Sequence, residues 1–231
     1  MRKNRKVSHL LIVTFATAVL YVSRYARPAL LSRYYNIMKK NSDVKSTLLA
    51  GVGGQGILRA SDILCLVMME IGMDVKKSEV HGMAQRGGCV TSHVRYGQKV
   101  YSPIAKKGDV DILVSFEKLE TLRYLDFMKP NGTVVINQVE LYPPSVNLGD
   151  AKYPHNVIEL VNQAFKTVKV VNARDIAAQA GNIRAENTAL LGVLSSFLKV
   201  DVTLWEKVLR ESFPEKVVNA NLKAFHLGRE A

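Results

Sequence analysis

The sequence predicts an α/β fold: an open, mostly parallel, doubly wound sheet, Rossmann-like, with helices at its C-terminal end. Two observations predict it. Apolar runs of strand length alternate with segments of helical spacing along the 231 residues. A glycine-rich segment, GVGGQG at residues 51–56, stands where the first strand would pass into the first helix. Strand-turn-helix units of this kind cover both faces of a sheet.

The individual elements follow from local patterns. The apolar run at residues 48–50 predicts a buried strand, and residues 57–71 carry apolar side chains at intervals of three and four until Gly72 ends the helix. Residues 89–101 alternate and then turn, which predicts an antiparallel excursion. Further strands are predicted at residues 111–116, 134–136 and 168–171, and further helices at residues 118–128, 156–165, 174–180, 188–198 and 203–211. Pro130, Asn131 and Gly132 are expected to end the helix at residues 118–128.

The distribution of charged residues divides the sequence into an N-terminal extension, residues 1–45, and a folded domain, residues 46–231. The net charge is +12, with 32 basic and 20 acidic residues, but the first 40 residues hold nine of the basic residues and none of the acidic ones. The rest of the chain is nearly neutral, so the domain lacks the basic surface that a nucleic-acid backbone requires. A hydrophobic content of 48% is enough for one sizeable core.

The extension has two open interpretations. Its basic start and its apolar run at residues 10–22 resemble part of a signal sequence, but the run is short for a membrane span and no good cleavage site follows. Translation could instead begin at Met38, or the extension could be an interfacial membrane anchor. In either case we expect the folded domain to be cytoplasmic, because two isolated cysteines, Cys65 and Cys89, imply no disulfide scaffold.

The first glycine-rich segment fits the pattern G-x-G-x-x-G through Gly51, Gly53 and Gly56. This pattern is typical of a tight turn before a helix N-terminus that favours an anion. It is equally compatible with a turn that lets strand and helix pack closely without any ligand. In both interpretations we expect Gly53 to lie where a side chain would strike a ligand or the neighbouring backbone. The dinucleotide interpretation needs an acidic residue about 20 positions further on, and Glu79 stands near that position.

The second segment, SEVHGMAQRGG at residues 78–88, supplies the polar candidates. Arg86 can present its planar guanidinium to a carboxylate or phosphate, and His81 can move a proton at neutral pH; these two are the candidate catalytic residues. Taken singly, each is more simply interpreted as a surface ion pair or a satisfied loop histidine, but their clustering favours a site. The candidate binding residues are Gly51, Gly53, Gly54, Gln55, Gly56, Glu79, Gln85, Gly87 and Gly88.

The same loop could instead dock a partner protein. Asn137, Tyr142 and Pro143 are expected near the same sheet edge, because ligands of open sheets sit outside the carboxyl ends of the strands. No set of residues predicts a metal site.

A family resemblance emerges when the two segments are taken together with the stretches that follow them, CVTSHVRY at residues 89–96 and VYSPIAKKGDVDILVSFEKLETLR at residues 100–123. The chain resembles the gamma-type subunits of 2-oxoacid:ferredoxin oxidoreductases from about residue 46 to residue 228. Relatives acting on pyruvate or 2-oxoglutarate typically carry a Tyr-Gly-Pro type sequence before the arginine and two glycines. This chain has HGMAQ at residues 81–85, which favours the indolepyruvate branch and its beta subunits.

The resemblance implies a subunit of an enzyme that oxidatively decarboxylates indolepyruvate and other arylpyruvates to the acyl-coenzyme A while reducing ferredoxin. It implies that thiamine diphosphate, magnesium and [4Fe-4S] clusters are held by a larger alpha subunit, and that this chain binds no cofactor alone and completes a heterodimer or higher assembly. The cysteine count agrees, since a cubane cluster takes four thiolates and the chain has two.

Other functions remain open at this stage. The chain could belong to a pyruvate, 2-oxoglutarate or 2-oxoisovalerate:ferredoxin oxidoreductase. It could be a self-sufficient NAD(P)-dependent oxidoreductase that uses its glycine-rich turn and Glu79. It could also be a non-catalytic scaffold or regulator, in which case changing Arg86 would alter nothing in an assembled enzyme.

Overall fold

The structure, a computed structural model, describes residues 44–82 and 88–231, without the side chain of His81. The N-terminal extension up to residue 43, and with it the expectation about Met38, lies outside the described residues. So does the middle of the second glycine-rich segment, residues 83–87.

Six strands and four α-helices occupy the first two thirds of the described chain, with the second, third and fourth strands in direct succession. The first elements along the chain are β1 (Lys45–Val52), α1 (Ile57–Glu70), β2 (Asp74–His81) and β3 (Cys89–Gly97). The next elements are β4 (Val110–Ser115), α2 (Lys118–Tyr124), β5 (Met128–Asn137), α3 (Pro144–Asn147), α4 (Val157–Ala164) and β6 (Thr167–Val171). Four further helices are α5 (Ala173–Gln179), α6 (Glu186–Ser196), α7 (Val202–Ser212) and α8 (Glu215–Glu230). Among the helices of the described ranges, none has both the length and the apolar character needed to cross a membrane.

The six strands form one sheet in the order β2-β3-β1-β4-β5-β6. Strands β1, β4, β5 and β6 pair in parallel, whereas β3 is antiparallel to both of its neighbours, with Val52 opposite Cys89. The predicted open, mostly parallel sheet with an antiparallel excursion is therefore confirmed. The excursion places β3 between β2 and β1, which the sequence patterns did not specify.

The sheet is wound in two directions. Helices α1, α5, α6, α7 and α8 share one buried core with Leu49, where the rings of Trp205 and Phe225 stack with centroids 5.5 Å apart. Helices α2 and α4 pack on the opposite face, around Leu48 and Val157. The chain thus leaves β1 over one face and leaves β4 over the other, so the winding changes direction between these two neighbouring strands.

The predicted helix at residues 118–128 is wrong in its second half. Helix α2 ends at Tyr124, a 3₁₀ turn follows over Leu125–Phe127, and Met128 already belongs to β5. Pro130, Asn131 and Gly132 lie inside that strand, at a shift in its register with β4. A strand tolerates proline at such an irregularity, because no ladder hydrogen bond is required from it there.

Helix α8 was not predicted as a helix, yet it makes a close helix contact. Two glycines, Gly192 on α6 and Gly228 on α8, bring the two backbones together. A methyl group added to Gly192 would collide with the carbonyl oxygen of Phe225, and one added to Gly228 with that of Ala189. The absence of a Cβ atom at these two positions permits this approach.

Candidate functional site

The candidate site lies at the carboxyl edge of the parallel strands. Ligands of open α/β sheets bind outside the carboxyl ends of the strands, at the point where the winding changes direction. In this chain that point is the crevice between β1 and β4, flanked by the glycine-rich loop on one side and by Phe116 on the other. The amide of Phe116 donates to the carbonyl of Ala50 at 2.8 Å, which extends the pairing to the end of both strands.

The side chain of Gln55 fills this crevice. Its Oε1 accepts from the amide of Val52 at 2.7 Å, and its Nε2 donates to the carbonyl of Phe116 at 2.8 Å. Gly51 lies beneath it, where an added methyl group would be 2.7 Å from both Gln55 Oε1 and Phe116 Cβ. The side chain of Gln55 therefore bridges the ends of β1 and β4.

The glycines of the loop that leave no room for a side chain are not the one that was predicted, Gly53. Gly56 precedes α1 with φ 78°, and an added methyl group would lie 2.7 Å from the side-chain nitrogen of Asn187. Gly53 has no positive φ, and its added methyl group would meet the Gly88 carbonyl and Val90 at ordinary contact distances of 3.7 and 3.8 Å. The expectation that a side chain at Gly53 would strike the neighbouring backbone is wrong for a methyl group, whereas the clash with a ligand stays a prediction. Gly51 and Gly56 are the crowded positions, because they pack against Gln55 and Asn187.

The two glycine-rich segments meet through their backbones. The amide of Gly53 donates to the carbonyl of Gly88 at 2.9 Å, and the amide of Gly82 donates to the carbonyl of Cys89 at 2.8 Å. Because β3 runs antiparallel to β1, the connection between β2 and β3 leaves from the carboxyl edge. Gly82 and Gly88, which flank residues 83–87, thus lie at the carboxyl edge of the sheet, whereas Gln85, Arg86, Gly87 and the imidazole of His81 are outside the described residues.

Glu79 lies away from the glycine-rich loop. It stands opposite Ser92 in the edge strand β2 and forms an ion pair with Lys77 at 2.5 Å. Strand β3 separates it from β1, and two strand spacings amount to roughly 10 Å. A ribose-binding acid of a dinucleotide fold comes from a second strand that pairs directly with the first. The position of Glu79 therefore disfavours the NAD(P)-dependent alternative.

A buried carboxylate that the sequence analysis missed holds the other side of the crevice. Glu117 is 1% exposed, and its Oε2 accepts from the amide of Glu120 at 3.0 Å at the start of α2. Its Oε1 accepts from the amide of Leu141 at 3.2 Å and from the hydroxyl of Tyr153 at 2.5 Å. Burial and then this carboxylate raise the pKa of Tyr153. Glu117 thereby fixes the connection after β5, and the only sequence signal for it is an acidic residue at a helix start.

Asn137 lies at the predicted edge, but it is buried. Its amide nitrogen donates to the carbonyl of Phe116 at 3.2 Å and its oxygen accepts from the amide of Ala173 at 3.0 Å. Tyr142, by contrast, is half exposed and stacks at a tilt on Tyr153, with ring centroids 5.2 Å apart. Pro143 precedes α3. Of these three residues, Tyr142 is the one whose side chain can reach a ligand or a partner.

The two cysteines do not fit an iron–sulfur cluster. Burial raises the pKa of Cys65 to about 11, and burial also raises the pKa of Cys89, whose Sγ lies 2.6 Å from the hydroxyl of Tyr124. Cluster ligands are thiolates, and a cubane cluster needs four of them. Within residues 44–82 and 88–231, no group of three or more His, Cys, Asp or Glu side chains is placed to hold a metal ion.

A cavity of about 530 Å³ opens on the flank of the glycine-rich loop that faces α5 and α6. Two arginines, Arg174 and Arg184, line it together with Glu186. Burial raises the pKa of Glu186, and Arg174 opposes that rise. The remaining lining residues are Gly54, Gln55, Gly56, Val139, Leu141, Ile183 and Asn187. Sequence reasoning missed both arginines, because no motif marks them.

Comparison with known proteins gives a consistent result. The sequence profile described as pyruvate ferredoxin/flavodoxin oxidoreductase matches residues 46–231. The indolepyruvate oxidoreductase subunit IorB of Archaeoglobus fulgidus is 38% identical over 185 residues, which cover 78% of this chain and 92% of the relative.

Two solved structures share the fold. The pyruvate oxidoreductase subunit PORC of Thermotoga maritima matches with a TM-score of 0.62 and 24% identity, covering 81% of this chain and 96% of that one. The 2-oxoglutarate:ferredoxin oxidoreductase of Magnetococcus marinus, solved with 2-oxoglutarate, coenzyme A and succinyl-CoA bound, matches with a TM-score of 0.64 and 22% identity. The match covers 81% of this chain but only 31% of the Magnetococcus chain. On its sequence, the chain belongs to the pyruvate ferredoxin/flavodoxin oxidoreductase family.

Proposed function

We propose that this chain is the small, gamma-type subunit of a ferredoxin-dependent 2-oxoacid oxidoreductase acting on indolepyruvate and other arylpyruvates. In this reaction the 2-oxoacid loses carbon dioxide, its acyl group is transferred to the thiol of coenzyme A, and two electrons pass singly to ferredoxin. The observation that carries the proposal is the 2.9 Å hydrogen bond from Gly53 to Gly88, which joins the two family-specific segments at the carboxyl edge of the sheet. A loop built only for strand-helix packing has no need of the second segment.

A larger alpha subunit supplies the redox chemistry in this proposal. The [4Fe-4S] clusters are proposed to belong to that partner, because a cubane cluster takes four thiolates and this chain has two cysteines, both partly buried. Thiamine diphosphate and magnesium are proposed to lie on the same partner. The Magnetococcus enzyme supports the division of labour, since the region matched by this chain is a minor part of a longer polypeptide. The assembly, a heterodimer or higher, is proposed to be cytoplasmic, where ferredoxin is available.

Two observations support the arylpyruvate branch. Identity to the indolepyruvate subunit of Archaeoglobus is 38%, against 26% to the pyruvate/ketoisovalerate oxidoreductases common subunit gamma of Pyrococcus abyssi. The segment HGMAQ at residues 81–85 replaces the Tyr-Gly-Pro type sequence of relatives that act on smaller 2-oxoacids.

The substrate assignment is tested by purifying the full chain with its natural partner, identifying the partner by mass spectrometry, and assaying ferredoxin reduction. We expect coenzyme A-dependent activity with indolepyruvate and much less with pyruvate or 2-oxoglutarate. A preference for pyruvate would contradict the arylpyruvate assignment. The absence of any 2-oxoacid-dependent ferredoxin reduction would contradict the proposed function itself.

Within the assembly, Arg86 and Gln85 are proposed to bind the 2-oxoacid carboxylate or the phosphates of coenzyme A, with His81 moving a proton; docking of the partner is the competing role. Arg86→Ala separates the two. If Arg86 binds a substrate, turnover or a Michaelis constant changes by roughly 10- to 150-fold while the complex elutes as one species, because a charge-assisted contact is lost. If Arg86 docks the partner, the complex dissociates at low concentration. Arg210→Ala, an exposed change on α7, is the control, and an Arg86→Ala variant normal in both assays would remove Arg86 from both roles.

A further inference from the structure

We propose that an apolar groove at the amino edge of the sheet is a docking surface for the larger partner subunit, and that it takes a segment of that subunit which carries carboxylates beside apolar side chains. The inference deepens the proposed function and rests on it. The groove has a volume of about 550 Å³ and lies where Lys45 starts β1 opposite Tyr96 of β3. The candidate site lies at the carboxyl edge of the same strands, so both surfaces can be used at the same time.

The floor and the rim of the groove are apolar. Met68 and Ile112 are at most 7% exposed and form part of the floor. Ile71 and Met73 follow the end of α1, Phe197 follows the end of α6, and all three are between 37% and 40% exposed. Large apolar side chains that are exposed together mark an interaction site, whereas single ones do not. Methionine adapts its shape to a partner surface, because its side chain is unbranched and polarisable.

The backbone beside the groove needs no hydrogen-bond partner from another chain. At the end of α1, the amide of Met73 donates to the carbonyl of Met68 at 3.1 Å. At the end of α6, the amide of Phe197 donates to the carbonyl of Leu194 at 3.1 Å. Carbonyls in the last turn of both helices are thereby bonded within the chain. An occupant of the groove is therefore recognised through side chains.

The charge at the rim of the groove is positive. Lys45, Lys199 and Asp111 line the groove. One oxygen of Asp111 accepts from the ammonium groups of Lys45 at 3.2 Å and Lys129 at 2.8 Å, and the other accepts from the amide of Ser46 at 2.9 Å. Lys199 is exposed, and in the part of the chain that the structure describes no carboxylate forms an ion pair with it. Three ammonium groups around one carboxylate leave two positive charges in excess, which an acidic occupant complements.

A second copy of this chain fits the groove poorly. In a dimer with twofold symmetry the same surface meets itself, so the lysines of the rim would face the lysines of the other copy. Juxtaposed like charges disfavour such a contact. A different subunit that presents carboxylates meets no such repulsion, and the proposed function supplies one.

The stability of the assembly tests the apolar part of the surface. Mass photometry over a dilution series of the purified assembly gives the dissociation constant between the full chain and the larger subunit. The double variant Ile71→Ser, Met73→Ser should raise this constant about 10-fold or more, because it removes apolar contacts at the interface. Leu160→Ser on α4 is the matched control, since Leu160 is also 40% exposed but lies outside the groove. We expect the isolated variants to keep the melting temperature of the wild-type chain.

Lys199→Glu tests the charge without disturbing a core, because the side chain is exposed. At low ionic strength this variant should bind the larger subunit more weakly than the wild type does. The difference should shrink as the ionic strength rises, because salt screens exposed charges. Lys223→Glu, at an exposed position of α8, is the matched control and should bind as the wild type does.

A dissociation constant that neither the double variant nor Lys199→Glu changes would overturn the proposal. So would an effect that is confined to the full chain and absent from a chain that starts at Met38. If the isolated wild-type chain is a dimer and the double variant is a monomer with unchanged affinity for the larger subunit, the groove takes a second copy and the proposal is wrong. An assembly that depends on the groove but reduces no ferredoxin would contradict the proposed function and leave the docking surface standing.

Discussion

The side chain of Gln55 links two strand ends at a glycine pattern that is otherwise typical of ligand binding. Its side-chain amide joins the amide of Val52 on β1 to the carbonyl of Phe116 beyond β4. Together the two contacts bridge the crevice that parallel α/β sheets ordinarily offer to a ligand. A glutamine at this position is compatible with the pattern G-x-G-x-x-G, in which the residue is unrestricted. The pattern alone therefore does not distinguish a filled crevice from an open one.

The glycines of the loop are expected to differ sharply in tolerance. Gly56→Ala should lower the free energy of unfolding by on the order of 1–3 kcal/mol, because alanine must adopt φ 78° and contact Asn187. Gly53→Ala, the matched substitution three residues earlier, should change it by no more than about 0.5 kcal/mol. Urea unfolding of both variants measures the difference, and equal destabilisation by the two would contradict the assignment.

Cys65 is expected to make stability depend on alkaline pH. Its pKa is about 11 in the folded chain, against 9.0 for an ordinary thiol, because burial favours the neutral form. A raised pKa contributes stability that is fully present below pH 9 and is lost as the pH rises through 11. The difference in unfolding free energy between wild type and Cys65→Ala should therefore shrink between pH 9 and pH 11, by up to about 2–3 kcal/mol. A difference that stays constant across this range would contradict the prediction.

At the scale of elements, the contact between α6 and α8 depends on two glycines. Gly228→Ala should destabilise the domain by about 1–3 kcal/mol or more, because its methyl group would meet the carbonyl of Ala189 and force the helices apart. For a domain of this size the melting temperature falls by roughly 2–4 °C per kcal/mol. Asn219→Ala, at an exposed position of the same helix, is the control and should leave the melting temperature nearly unchanged. A Gly228→Ala variant with the melting temperature of the wild type would show that the helices can move apart without loss of stability.

At the scale of the whole molecule, residues 44–231 contain the sheet and both of its cores. We expect a chain that starts at Met38 to keep the melting temperature of the full chain and to coelute with the partner subunit. Among the residues that the structure describes, the two cores begin at Leu48 and Leu49. Thermal denaturation and gel filtration of the two chains check this. Loss of soluble protein, or of a membrane-bound fraction, on truncation would show that the extension is structural or an anchor.

The sequence by itself determined the class of fold, the order of most strands and helices, and the two glycine-rich segments that carry the family resemblance. It also determined that two cysteines cannot supply a cubane cluster. These properties are local or compositional: the spacing of apolar residues reports which face of an element is buried, whatever its neighbours are. The failures at this level are the missed helix α8 and boundaries such as the start of β5 at Met128, where a strand irregularity accommodates Pro130.

Only the tertiary structure decided which distant residues meet. The insertion of β3 between β2 and β1 moves Glu79 away from the glycine-rich loop, and the pairing of Gln55 with Phe116 fills the crevice. The cavity with Arg174 and Arg184 joins segments that are more than 100 residues apart in the chain. Strand order and such non-local contacts depend on how whole elements pack, and the periodicity within one element carries no information about which element lies beside it.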